Sequence, residues 1–464
     1  MKQIKTKFQK TVVINIVGLS KSVISEHTPF LKQYLTSKNY TLIEPMLPGV
    51  TTSAQSTYLT GKWPSEHGIV GNGWYDRIDS EVKFWKQSNH LVYGEKLWEK
   101  AKKIDPKFTC SKMFWWYNMY SSADYSVTPR PQYHADGVKA PDSYSHPPEL
   151  REELQKKFGT FPLFHFWGPN ANIQSTKWIK NATLYVDEKY DPTLTLVYLP
   201  HLDYGLQKFG SNVSKLKKEL SELDQIVKEL VETYQKKNAK VILLSEYGIS
   251  DVHTPIHINR ILRENDLIQV RKERWYEHLD PGASRAFAVS DHQISHIYCK
   301  DGKSVELAKK IAKQIPGVEL VLDKNEQKKY HIHHERSGDL VLVAKDGYWF
   351  TYYYWMNDKE APDYARLVDI HRKPGYDPAE LFLNPSQKFV KWKVIWTLIK
   401  KKLGFRYLMD VIPLDADLVR GSHGGFPKSP EFYPIFSAEI PLPMKNISAI
   451  KVYDFIWEQM TSEI

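Results

Sequence analysis

Three short apolar runs stand out along the chain. Val12–Ile16, Leu194–Leu199 and Val241–Leu244 are rich in Leu and β-branched residues, and each stops abruptly at polar or glycine residues. Runs of this kind predict strands buried on both faces, as in a parallel sheet. Between them the period changes. From Ser214 to Lys237, apolar residues return at Leu216, Leu220, Leu223, Ile226, Val227 and Leu230, one stripe of a helix that hands over directly to the Val241 run. Helix followed by strand predicts an α/β fold with a mostly parallel central sheet flanked by helices. Ligands of such sheets bind beyond the carboxyl ends of the strands. The residues standing there are Val17-Gly18, then His201 and Asp203, then Glu246 and Tyr247.

A second alternation runs from about Arg271 to Trp355. "ASRAFAVSDHQISHIYC", "KSVELAKKIAKQIPGVELVL" and "DLVLVAKDGYWFTYYYW" read as strand, helix, strand and further strands. This predicts an inserted α+β cap. The chain then divides into residues 1–265, the first part of the core; 266–385, the cap or substrate subdomain; and 386–464, a basic amphipathic helix and the return to the core. In that helix Phe389, Trp392, Ile395, Trp396, Ile399 and Leu403 follow helical spacing, Lys388, Lys391, Lys393 and Lys400–Lys402 supply charge, and Gly404 marks the end. Two readings compete: a helix packed on the core with solvated lysines, and peripheral contact with an anionic membrane through 386–404.

Composition narrows the class. With 42% hydrophobic and 25% charged residues the chain reads as globular, and its net charge of +10 favours anionic partners. No nucleic-acid motif accompanies that charge. Cys110 and Cys299 are too few for a disulfide framework. The Val12–Ile16 run is too short for a signal-peptide core, and no stretch approaches 18 apolar residues. These features give a cytoplasmic expectation, with the membrane contact above as its peripheral variant. Nothing in the sequence sets the oligomeric state.

The chemistry concentrates in "PGVTTSAQSTYLTGKWPSEHGIVGNGWYDR", residues 48–77, which follows the first strand and the helix "EHTPFLKQYLTSK". Thr28-Pro29-Phe30-Leu31, Thr60-Gly61, Pro64, Glu66-His67-Gly68-Ile69-Val70 and Gly71-Asn72 stand in the order found in the type I phosphodiesterase/nucleotide pyrophosphatase branch of the alkaline phosphatase superfamily, which this chain resembles. The resemblance covers Val12 to about Val252 and returns at Gly421. It implies an alkaline-phosphatase-like core and a metal-dependent hydrolase of phosphate diesters or pyrophosphates, acting on a phosphorylated small molecule. The family's nucleophile falls on Thr51 and its substrate-binding Asn on Asn72, with Thr52 as a neighbouring hydroxyl. A threonine hydroxyl attacks phosphorus only once a metal or base has activated it. Read from the residues alone, the two threonines could instead cap a helix starting near Ser53.

At the metal positions the chain departs from the family. Val17 replaces the Asp after the first strand, Asp203 with Gln207 replaces an Asp/His pair, Glu246-Tyr247 replaces Asp-His, and His423 is retained in "RGSHGG". Asp203, Gln207 and His423, with Glu246 as auxiliary ligand or acid/base, could hold one divalent ion, Zn before others, more readily than two. Asp291-His292 and Asp369-His371 are compact acid–imidazole pairs that could add ligands. Tyr247 and Arg285 could stabilise a phosphoryl oxygen in place of a lost cation. The rival expectation is a catalytically silent relative that binds a phosphorylated or lipid-linked ligand.

Overall fold

The computed structural model describes residues 8–462. All three apolar runs form strands, Thr11–Ile16, Leu194–Leu199 and Lys240–Leu244. They lie side by side and parallel, with Ile16 opposite Leu199 and Asn15 opposite Leu244. That register fixes the site, because all three strands end at one level and release Val17, Pro200 and Ser245 to the same edge. Cys110–Met113 and Tyr125–Pro129 extend the parallel set beyond Leu194–Leu199. Antiparallel strands close both sides, Ile435–Ala438 and Asn39–Leu42 on one and Ser143–His146 on the other, giving eight strands in all.

Helices cover this sheet. The Ser214–Lys237 stripe is the helix Lys217–Lys236, whose Leu220, Leu223, Val227 and Leu230 are buried in the main core. Residues 270–350 build separate strands. Ala286–Asp291, Ile294–Cys299, Leu340–Ala344 and Val318–Leu322 form a four-stranded antiparallel sheet with its own core, into which Ile69, Val70, Trp74 and Tyr75 pack. The segment 51–77 therefore bridges the two cores.

A loop from this region returns to the strand ends. It is held by Lys373, which is fully buried and lies 2.7 Å from both Asp377 Oδ2 and Glu380 Oε1. Glu380 also accepts Trp167 Nε1–H at 2.6 Å. Removing one member of a buried ion cluster leaves the others uncompensated, so Lys373→Ala should lower unfolding stability by about 3–5 kcal/mol in a denaturant titration. A loss below about 1 kcal/mol would mean that the two carboxyls simply take up protons.

Candidate functional site

Thr51 opens the helix Thr51–Thr60, with Val50 rather than a threonine at the cap position. Neither threonine caps the helix. Thr52 donates its hydroxyl to Gly71 O at 2.8 Å and its N–H to Asn72 Oδ1 at 3.2 Å. Thr51 instead shares a 3.1 Å hydrogen bond with Tyr247 Oη, which ties the start of the helix to the end of the third strand. Asn72 is oriented by Asp291, whose carboxylate accepts the Asn72 backbone N–H at 2.8 Å and its side-chain N–H at 3.1 Å.

Glu246 is buried beyond the Lys240–Leu244 strand, and its Oε1 accepts Asn15 Nδ2–H at 2.6 Å and Gln55 Nε2–H. Asp203 lies in the first turn of the helix His201–Phe209, and Gln207, one turn later, donates to its Oδ2 at 2.9 Å. The Gln207 carbonyl accepts Tyr376 Oη–H at 3.0 Å. Neither carboxyl has an ion-pair partner among the described residues. Burial pushes Asp203 up to about 7 and Glu246 up to about 8.

Four rings form a column through the centre: Tyr247 on His423 at 3.5 Å, His423 on His292 at 3.8 Å, and His292 on Tyr376 at 3.7 Å between centroids. His423 Nδ1–H donates to Gly49 O at 2.9 Å and His292 Nδ1 hydrogen-bonds Asp291 Oδ1 at 2.8 Å. Burial holds both imidazoles well below their ordinary pKa, hence neutral. Close packing carries into the backbone. A Cβ on Gly248, directly after Tyr247, would sit 1.9 Å from Phe432 O, so only glycine fits there. A cavity of about 20 Å³ reaches Glu246, Tyr247 and His423, room for about one water, and Thr51, Asn72 and Asp203 lie outside its lining.

The family's metal pair does not fit this donor set. Val17 is buried and apolar, and the Tyr247 phenol, raised by burial, is held against Thr51. Buried atoms without a hydrogen-bond partner do exist here, Asp203 Oδ1, Glu246 Oε2, His292 Nε2 and His423 Nε2. Yet no three His, Cys, Asp or Glu side chains among the described residues are grouped so as to hold a metal ion. In the one-ion set, Asp203 Oδ1, His423 Nε2 and the auxiliary Glu246 Oε2 have no hydrogen-bond partner and the Gln207 carbonyl accepts from Tyr376, yet these groups are not clustered about a common point among the described residues.

Other expected residues go elsewhere. Arg285 is exposed at the start of the strand whose far end carries Asp291, about 20 Å away at the usual rise per residue, so it does not face a phosphoryl group at Thr51. His371 is exposed beside Tyr133, and Asp369 pairs with Arg372 at 3.1 Å. Asp291 and His292, in contrast, join the site. Sequence reasoning missed Asn15, Gln55 and Tyr376. A signal existed for two of them: Asn15 is the polar residue inside an apolar strand, and Gln55 lies one helical turn after Thr51.

The family described as type I phosphodiesterase / nucleotide pyrophosphatase matches residues 11–377. The chain belongs to that family. It is 24% identical to ectonucleotide pyrophosphatase/phosphodiesterase 1 of Saccharomyces cerevisiae over 326 residues, 63% of this chain and 41% of that protein. It is 26% identical to ectonucleotide pyrophosphatase/phosphodiesterase 2 of the same yeast over 258 residues, 52% of this chain and 48% of that protein. The chain thus spans less than half the length of the curated relatives it matches. Among solved structures it is similar to murine ectonucleotide pyrophosphatase/phosphodiesterase 5, with TM-score 0.55, 15% identity, and 97% and 94% of the two chains covered. It is also similar to phosphonoacetate hydrolase of Sinorhizobium meliloti, with TM-score 0.61, 13% identity, and 97% and 95% covered. These likenesses show an alkaline-phosphatase-like fold. The family hydrolyses phosphoric esters and is metal-dependent.

The raised carboxyl of Glu246 has a measurable consequence. Its folded form keeps a proton that the unfolded form has already lost between about 4.5 and about 8, so its contribution to stability falls as pH rises through that window. Glu246→Gln cannot ionise. Its melting temperature should rise relative to wild type as pH goes from about 4.5 to about 8; a pH-independent difference would show that Glu246 ionises as freely as an exposed carboxyl.

Proposed function

We propose that the chain is a hydrolase of phosphate diesters or pyrophosphates in which Thr51 is the attacking hydroxyl. The observation that carries this reading is the position of Thr51, at the first turn of a buried helix, beside the raised carboxyl of Glu246 and one residue from Thr52, whose N–H is held by Asn72. Once ionised, Glu246 can take the Thr51 proton. The oxygen of Thr51 then forms a bond to phosphorus while the bond to the leaving oxygen breaks, and Asp203, still partly protonated at neutral pH, can return a proton to the leaving group. Asn72 uses one amide hydrogen on Asp291 and keeps a second for a phosphoryl oxygen. Water completes the cycle by cleaving the phosphothreonine.

A second reading, ligand binding without turnover, rests on one contact. The Tyr247 phenol is hydrogen-bonded to Thr51, so the hydroxyl is free to attack only once that ring moves.

A panel of phosphodiester, pyrophosphate and phosphomonoester substrates separates the two. Turnover should be bell-shaped with pH, highest between about 7 and about 8, the Asp203 and Glu246 values, and Thr51→Ala should abolish it while the chain still unfolds cooperatively, at a cost of about 1 kcal/mol for the lost buried hydrogen bond. Because no three His, Cys, Asp or Glu side chains among the described residues are grouped to hold an ion, chelation should leave the rate within about twofold; loss on chelation with rescue by Zn would instead support the single ion at Asp203, Gln207 and His423 with Glu246 as auxiliary ligand. Saturable binding of a phosphate ester with no turnover in wild type would establish the silent relative.

A further inference from the structure

The helix Val390–Lys402 is inverted relative to an ordinary surface helix. Its inner side carries buried Thr397, with Val390 and Val394 packed on the small cluster of Ala379, Val411 and Ile412. On the opposite side Phe389, Trp392, Trp396, Ile399 and Leu403, three and four residues apart, face solvent with 76, 66, 58, 42 and 66% exposure. Ile395 flanks them, and beyond Gly404, whose φ of +79° turns the chain, Phe405 and Leu408 are exposed as well. Surface helices normally turn their polar side outward. A contiguous apolar patch of this kind marks an interaction surface.

Charge decides what covers it. Lys388, Lys391, Lys400, Lys402 and Arg406 are exposed around the stripe, and no Asp or Glu occurs between Glu380 and Asp410. Asp410 itself is paired with Lys393 at 2.8 Å. A second copy of the chain, seated stripe against stripe, would bring Lys391, Lys400 and Lys402 of both copies to the edges of the seam, where paired helices place opposite charges. Anionic headgroups meet the same lysines favourably, and indole rings are most at home at the boundary of headgroups and acyl chains. No helix among the described residues is long and apolar enough to cross a membrane, which leaves a helix lying in the interface plane.

We infer that the chain docks on anionic phospholipid bilayers through residues 389–408, with Trp392 and Trp396 inserted at the interface and the lysines on the headgroups. The full chain should sediment with vesicles of phosphatidylcholine mixed with phosphatidylglycerol, blue-shift its tryptophan emission, and ignore phosphatidylcholine alone. Binding should weaken at least about tenfold in about 1 M salt, where charges are screened beyond about 3 Å. Trp392→Ser/Trp396→Ser should cost at least about tenfold as well, at an unchanged melting temperature because both rings are exposed. Lys391→Glu/Lys400→Glu/Lys402→Glu should abolish binding. The inference is overturned if the full chain ignores the mixed vesicles or if the double serine variant binds as well as wild type. It also fails if the chain forms a dimer that the double serine variant breaks while no vesicle is bound.

Discussion

Two carboxyls, Asp203 and Glu246, are buried at the end of a parallel sheet with no Lys or Arg paired to them among the described residues, and the site is built around that constraint. An ionised carboxylate in such a place is far less stable than in water, so it must be neutralised, hydrogen-bonded or both. The structure does both. Amides from Asn15, Gln55 and Gln207 hold one oxygen of each carboxyl, and burial raises both pKa values to the neutral range. The rings near them are neutral too. Stacked Tyr247, His423, His292 and Tyr376 fill the centre with close-packed, uncharged surface.

The same constraint links the site to the fold. The carboxyls meet because Thr11–Ile16, Leu194–Leu199 and Lys240–Leu244 pair in parallel and end in register. Their partners come from farther away, Asp291 and His292 from the antiparallel sheet and Tyr376 from the loop pinned by Lys373. Two hydrophobic cores therefore meet at one polar seam. A shift of one core against the other would break the Thr52–Asn72 hydrogen bond and the ring column together.

How much of this could be read in the sequence follows from where each signal resides. Strands buried on both faces leave continuous apolar runs, so the three central strands and the helix before the third were legible. Edge strands such as Asn39–Leu42 carry polar residues and owe their existence to pairing with Ile435–Ala438, nearly 400 positions away, which no local pattern announces. In the site, the chain order of Thr51, Asn72, Asp203, Glu246 and His423 was legible through the resemblance. Packing was not. Arg285 and Asp291 looked equally close in sequence, yet an extended strand separates its two ends, and only Asp291 reaches Asn72. Tyr376 gave no sign, because its role depends on a loop held by a buried ion cluster.

The residues standing where the resemblance puts metal ligands make physical sense as a set. A buried carboxylate needs an opposite charge or hydrogen bonds, and the residues here supply neutral hydrogen bonds. Val17 removes one acidic group outright. Gln207 offers an amide that donates to Asp203 and accepts from Tyr376 at once, and Tyr247 places a phenol on Thr51. Each change lowers the charge of the site or supplies a neutral hydrogen bond. Thr51 itself needs no such repair, since an uncharged hydroxyl with one partner is stable where a lone carboxylate is not. Retention of the hydroxyl beside a rebuilt ligand shell is thus what electrostatics permits, and it places the question of turnover on how far the Tyr247 ring can move.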